Sequence, residues 1–413
     1  MRLHLLHSPL PLLSPHPVIL SKSLPRFAAR RRLVSRYPRF PKEVIPMRST
    51  ILLLAAALAL PVLSKEIRWT SSKPATELEY QLIDLGVQDD FEAEITIDAP
   101  GRTAGIFFRA HENKDFETGP DGDSPGVEGI YGYSVLLLPD NSVEFTKSNG
   151  AKKIRNGVLN SSDRATTLRI SAIGETLRVT RGAATVGTGG DWFLSGSLYF
   201  VALPGEADAP PATVTIKEFK DLPRAENWQP LFNGENFDGW RQWGSEEWAI
   251  EDGMIIGRSG PKKSEGYLAT DRTWKDFRVR GTFKMLGEGN FGLFYHSTIT
   301  LRENDGYPMI SGVQGEVEPG YPSSTGWLYE SYKRGWLIEP PKDTLAAYVL
   351  KPTDWNTIEI ESKGNVVTTW VNGVRALRFD DPEPQLFEGS FALQLHAGGV
   401  DGIAWKDLYV VEE

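Results

Sequence analysis

The chain has 413 residues, is 40% hydrophobic and 11% aromatic, and carries a formal net charge of −9 with no cysteine. That length allows two or three domains with real cores. The acidic balance disfavours nucleic acid and anionic membrane as partners and leaves uncharged ligands such as sugars open, while the missing cysteines exclude a disulfide framework, a thiolate metal site and a cysteine nucleophile.

In chain order, residues 1–46 come first, with nine basic residues, one acid and many prolines. "MRSTILLLAAALALPVLSKE" follows: Arg48 beside Met47, an apolar run from Ile51 to Leu63 and a small residue at Ser64. This is the basic, apolar and small-residue pattern of a secretory leader, too short to span a bilayer. Met47 therefore reads as the true start, with 1–46 a misread upstream extension and 47–64 a cleaved leader. The mature chain is then exported to the periplasm or beyond, has no membrane span, and carries about −18 of charge. Its only histidines are His111, His296 and His396, too few within one domain for a three-histidine zinc site.

Short alternating runs dominate the rest: "FEAEITID", "AGIFFRA", "TLRISAI", "TLRVTRG", "DFRVRGTFK", "TIEIES" and "VVTTWVNG". With Gly, Pro, Asn and Asp between them, they predict an all-β chain of sandwiches or barrels. The acidic loop "ENKDFETGPDGDSPGVEG" (112–129) lacks EF-hand spacing and reads as solvated rather than calcium-binding. "ADAPPA" and "LPRAEN" place a boundary near residue 225. The halves, 65–225 and 226–413, echo each other: "GIFFRA" with "GLFYHS", "GYSVLLL" with "GVQGEV", "GSLYFVAL" with "GSFALQLH". Two tandem β-sandwiches follow.

Strand alternation assigns faces. Gln314 and Glu316 share one face of "SGVQGEV", Gln394 and His396 one face of "FALQLH", and Gly292, Phe294 and His296 one face of "FGLFYHS". If these faces belong to one concave sheet, they converge on a pocket. The first half has Ser134, Leu136, Val201 and Leu203 at the matching positions of Gln314, Glu316, Gln394 and His396, so a site is expected in the second half alone.

Residues 228–413 resemble the 3-keto-disaccharide hydrolase family, a jelly roll of concanavalin-like fold. The motifs are "WQPLFNGENFDGW", "WAIEDGMI", "DFRVRGTFK", "GNFGLFYHS", "GVQGEV", "TGWLYESYKRGW", "DWNTIEIESKGN", "WVNG" and "LQLHAGG". The first half resembles a generic laminin-G or concanavalin-type sandwich. The family pattern of Asn-Ser-Gly with a closing Arg is replaced by Asn290-Phe291-Gly292 and His296, which removes a permanent cation.

The resemblance implies two tandem concanavalin-like jelly rolls acting on glycosides oxidised at sugar C3. There a base takes the C2 proton, the C1 oxygen leaves, and water adds, giving net hydrolysis. Glu316 or His396 is assigned as base and His296 as acid or carbonyl polariser. Asn290, Gln314 and Gln394 bind hydroxyls, Tyr329, Glu330 and Arg334 shape the rim, and Trp327 and Trp336 offer stacking faces. A divalent metal on Glu316, His296 and His396 is a possible cofactor. The competing expectation is a non-catalytic, lectin-like carbohydrate-binding protein.

Overall fold

Strands that alternate apolar and polar residues bury one face and must pair sheet against sheet. A computed structural model describes residues 66–412 except 113–129, 149–152, 160–166, 191, 223–226, 319–322 and 341–343. The upstream extension, the leader, nearly all of the acidic loop and the boundary near residue 225 lie outside the described residues.

The architecture is all-β: two tandem sandwiches, each of two antiparallel sheets. In the first, one six-stranded sheet runs Ile67–Thr70, Thr213–Leu222, Asp90–Asp98, Thr167–Ile173, Thr176–Arg181, Ala184–Gly189. Its partner runs Glu79–Gln88, Gly196–Ala202, Ala104–Glu112, Ile130–Leu137, Val143–Ser148, Lys153–Leu159. In the second, an eight-stranded sheet centres on Ile403–Glu412, Phe277–Met285 and Asn356–Lys363. It faces a seven-stranded sheet in the order Trp240–Trp243, Gly266–Thr270, Ser390–Leu395, Phe291–Leu301, Pro308–Val317, Leu328–Glu330, Gly335–Trp336. One single-turn helix, Leu345–Tyr348, occurs among the described residues, and no helix there is long and apolar enough to cross a membrane.

The cores follow the alternation. Phe91, Ile95, Phe108, Tyr133 and Val214 are fully buried in the first sandwich, and Phe277, Leu293, Ile358, Leu393 and Trp405 in the second. Each such side chain contributes roughly 1.5–3 kcal/mol by leaving water. The sandwiches also touch. Leu194 donates its N–H to the Gly373 carbonyl at 2.7 Å, Arg375 donates to the Trp192 carbonyl at 2.8 Å, and Arg280 pairs with Asp89 at 3.0 Å.

The echo between the halves extends to an unusual feature. Arg109 and His296 occupy matching places, and both adopt left-handed backbone, with φ of 45° and 47°. Each sits in a bulge, where pairing shifts between Phe108 and His111 and between Tyr295 and Thr298. Arg109 donates to the Asp89 carbonyl at 2.8 Å, the Gly174 carbonyl at 2.7 Å and the Asp90 carboxylate at 3.0 Å. His296 Nε2 donates to the Lys275 carbonyl at 2.7 Å. Asp90 accepts the Gly174 N–H and Asp276 the Gly364 N–H, at 2.8 and 2.7 Å.

The bulge reverses one expectation. His296 is 3% exposed and turns its ring onto Phe277 and Tyr295 of the main core. It therefore leaves the face predicted for it, because one extra residue resets the alternation. The exchange of Arg for His alters a core support rather than the polar face.

Glycine opposite the bulge is a packing requirement. A Cβ on Gly389 would lie 2.3 Å from the His296 carbonyl carbon, whereas one on Gly364, at φ +60°, meets nothing within 4 Å. Gly389→Ala is expected to cost roughly 2–4 kcal/mol and Gly364→Ala about 1 kcal/mol. Urea unfolding of both variants measures the difference.

Candidate active site

Registers in the seven-stranded sheet bring the polar positions together. Gly292 pairs with Glu316 on one side and Gln394 on the other, and Phe294 pairs with Gln314. In the first sandwich Gly105 pairs with Leu136 and Val201, and Phe107 with Ser134. The predicted correspondence thus holds residue by residue. The same face there is an apolar cluster including Phe107, Leu136, Tyr199 and Val201.

Gly292 is what lets the amides meet. A Cβ at that position would fall 2.3 Å from Gln314 Nε2. With no side chain in the way, Gln314 lies across the intervening strand and donates to Gln394 Oε1 at 2.8 Å and to the Phe291 carbonyl at 3.1 Å. Gln394 Nε2 in turn donates at 2.9 Å to Glu265. Glu265 and Tyr267 were not among the expected site residues. "EGYLAT" places them two apart at the head of a strand, the same spacing that marked Gln314 with Glu316, so alternation was the available signal. Tyr307 and Tyr332, which also reach Glu265, come from loops and carry no periodic signal.

Glu316 is 5% exposed, and burial raises its carboxyl to about 8, with the nearby Glu318 carboxylate adding to the effect. The Asn290 amide opposes this by donating to it at 3.0 Å. The other Asn290 amide atom, Oδ1, is buried with no hydrogen-bond partner among the described residues, so the pair presents an unused acceptor. His396 flanks them. Its N–H bonds the Asn290 carbonyl at 3.2 Å, its ring is exposed, and Nδ1 lies 2.8 Å from the Ala397 carbonyl. A carbonyl only accepts, so Nδ1 carries the proton and Nε2 offers its lone pair. Tyr329 pairs with Gln314 and meets Trp336 edge-on at 5.3 Å between centroids.

Other expected residues lie elsewhere. Glu330 pairs with the core residue Val313 and is fully buried. It bonds Arg334, which also clasps Asp381 through two hydrogen bonds of 2.8 and 2.7 Å. This triad ties a loop to the opposite sheet and does not form a rim. Trp327 is 5% exposed within the core, its indole nitrogen unpartnered among the described residues. With His296 turned away, the cluster of Glu316, His296 and His396 does not assemble. Among the described residues no group of three or more His, Cys, Asp or Glu converges as a metal set.

With this geometry in place, likeness to known proteins becomes informative. Residues 227–411, within the C-terminal sandwich, match the model of the 3-keto-alpha-glucoside-1,2-lyase-like domain. A 3-keto-disaccharide hydrolase of Bacteroides thetaiotaomicron is 29% identical over 99 residues, covering 22% of this chain and 34% of that protein. The match therefore spans about a third of that relative's length. Among solved structures, a candidate glycosyl hydrolase of Parabacteroides distasonis is 19% identical, over 45% of this chain and 94% of the other, with a TM-score of 0.34. A Bacillus subtilis protein of unknown function with a galectin-like fold is 13% identical, over 45% and 96%, also with a TM-score of 0.34. A carbohydrate-active role is the class that the matching family model and the Bacteroides relative support.

The raised carboxyl makes a stability prediction. Unfolding returns Glu316 from about 8 to its ordinary 4.5, so the unfolded chain loses a proton in that window while the folded chain retains it. Its contribution is full below about pH 4.5 and is lost as pH rises through about 8. Glu316→Gln is expected to remove this loss. Thermal midpoints of the two proteins should diverge in favour of the variant between those pH values and run parallel above them.

Proposed function

We propose that the C-terminal sandwich cleaves glycosides already oxidised to a ketone at C3. The observation that carries this is Glu316, a buried carboxyl raised to about 8 on the polar face of a domain matching the 3-keto-glucoside lyase-like family. A ketone at C3 acidifies the C2 proton, and a base needs a raised pKa to take it.

Ionised Glu316 takes that proton, and the electron pair shifts to the C3 oxygen as an enolate. Collapse of the enolate expels the C1 oxygen, which leaves with the proton that Glu316 took in the first step. Water then adds across the resulting double bond, so the net change is hydrolysis. Asn290 holds the Glu316 carboxylate, and Asn290, Gln394 and Tyr329 supply hydroxyl contacts. A lectin-like reading is favoured by one observation: the linked amides of Gln314 and Gln394 suit sugar hydroxyls without any chemistry. The pattern at residues 47–64 supports export.

A panel of 3-keto-glucosides, incubated with the protein with and without chelator, tests the proposal through release of the aglycone. Glu316→Gln should lower release about 10²- to 10⁴-fold. Below pH 8, kcat/KM should rise about tenfold per unit as the base ionises, then level off. Binding without release sinks the enzyme and leaves the lectin; sensitivity to chelator would add a metal.

A further inference from the structure

Glu316 is not the only buried carboxylate on the polar face. Glu265 is 7% exposed and lies immediately before the strand Gly266–Thr270. One oxygen accepts Gln394 Nε2 at 2.9 Å; the other accepts hydroxyls from Tyr307 at 3.0 Å and Tyr332 at 3.2 Å. Tyr267 lies two residues along the strand, its phenol fully buried beside the Glu265 carboxylate. Burial and the Glu265 carboxylate push that phenol's pKa well up, so it stays a neutral donor.

Two surface segments supply the hydroxyls. Tyr307 closes the hairpin between Phe291–Leu301 and Pro308–Val317, where Arg302 binds Asp305, Asp305 accepts the Tyr307 N–H at 3.1 Å, and the Arg302 guanidinium lies 4.8 Å from the Tyr307 ring. Tyr332 sits in left-handed backbone at φ 57° and is 56% exposed. A non-glycine residue in that conformation with an aromatic ring in water is costly, yet its hydroxyl reaches a buried carboxylate. Two O–H groups converging on one carboxylate oxygen is also the arrangement in which neighbouring sugar hydroxyls bind an acidic side chain.

We propose that Glu265 is a hydroxyl-binding residue for a pyranose ligand, and that Tyr307 and Tyr332 are a two-armed cover whose hydroxyls give way to those of the sugar. This rests on the carbohydrate reading of the site. Glu265 can only accept, so it fixes Gln394 with its amide nitrogen toward the carboxylate and its oxygen toward Gln314. The sugar is thereby anchored at one end of an amide chain whose other end adjoins Glu316. The matching place in the first sandwich, by the pairing of Tyr80 with Val201 and of Tyr267 with Gln394, is Leu78. That sandwich lacks the anchor.

The test is calorimetric titration with methyl α-glucoside and its 3-keto derivative in the Glu316→Gln protein, which suppresses turnover. Adding Glu265→Gln should weaken binding about tenfold or more, as loss of a charged hydrogen-bond acceptor implies. Adding Tyr307→Phe and Tyr332→Phe together should leave binding unchanged or strengthen it, because the sugar no longer displaces two phenols. The idea is overturned if Glu265→Gln leaves Kd within about twofold, or if the double phenylalanine variant loses as much affinity as Glu265→Gln. A thermal melt confirms folding, and the phenylalanine pair keeps the proposal testable if Glu265→Gln does not fold. Aglycone release in the otherwise unaltered protein separates the two ideas. Release that needs Glu316 but not Glu265 keeps the enzyme and sinks the anchor; sugar binding that needs Glu265 with no release does the reverse. Absence of heat with either sugar sinks the anchor outright.

Discussion

A single residue of left-handed backbone inside a long strand governs the site. At His296 the strand Phe291–Leu301 gains a residue over both neighbours, and its pairing shifts on each side. A bulge bends a strand and sharpens its twist, and the hairpin beyond it curls back across the polar face. Ile299 and Ile310 pack there with Tyr267, Phe294 and Ala392, and Tyr307 reaches Glu265. Gly389 and Gly312 admit the bend, since a Cβ on Gly312 would lie 2.7 Å from that of Ser297. Inside the bulge the His296 ring fills a core slot and bonds a carbonyl, which burial favours in the neutral form. The support is remote from the chemistry yet sets where the covering tyrosine lands.

The first sandwich shows that this scaffold does not by itself make a site. Arg109 stands in for His296 in an equivalent bulge, opposite Gly196 instead of Gly389. Where the second copy has Gln314, Glu316 and Gln394, the first has Ser134, Leu136 and Val201. An apolar face gains by hiding itself from water, whereas a face of amides and carboxylates must find partners for every buried polar atom. The second copy meets that demand with a chain of amides and phenols but leaves Asn290 Oδ1 without a partner among the described residues. That atom is where a ligand has most to gain.

Much of this was legible in the sequence because a period of two is unambiguous in a regular strand. The shared face of Gln314 and Glu316, its continuation to Gln394 and the blank counterpart in the first half all follow from alternation and internal repetition. The failures have physical causes. His296 was assigned to the wrong side because a bulge breaks the period without leaving a glycine or proline at the break. Glu330 and Arg334 were grouped with Tyr329 through a shared motif, although neighbours on a strand face opposite ways and Glu330 meets Arg334 beneath the sheet. Tyr307 and Tyr332 depend on how two loops fold back in space, and no local pattern records that.

Charge compensation separates Glu316 from four of the other buried carboxylates among the described residues. Asp90 is met by Arg109, Glu359 by Arg278, and Glu330 and Asp381 by Arg334. Glu246 meets no cation among the described residues but accepts from the Gly260 N–H and the Ser264 hydroxyl. Glu265 has an amide and two phenols. Glu316 has neutral amide donors and a second carboxylate nearby, so burial dominates and its proton is held to about 8. A purely structural role would be served as well by glutamine, which fits the same strand without the cost of a buried acid. The acid retained at that cost is the physical ground for proposing a proton transfer at this residue.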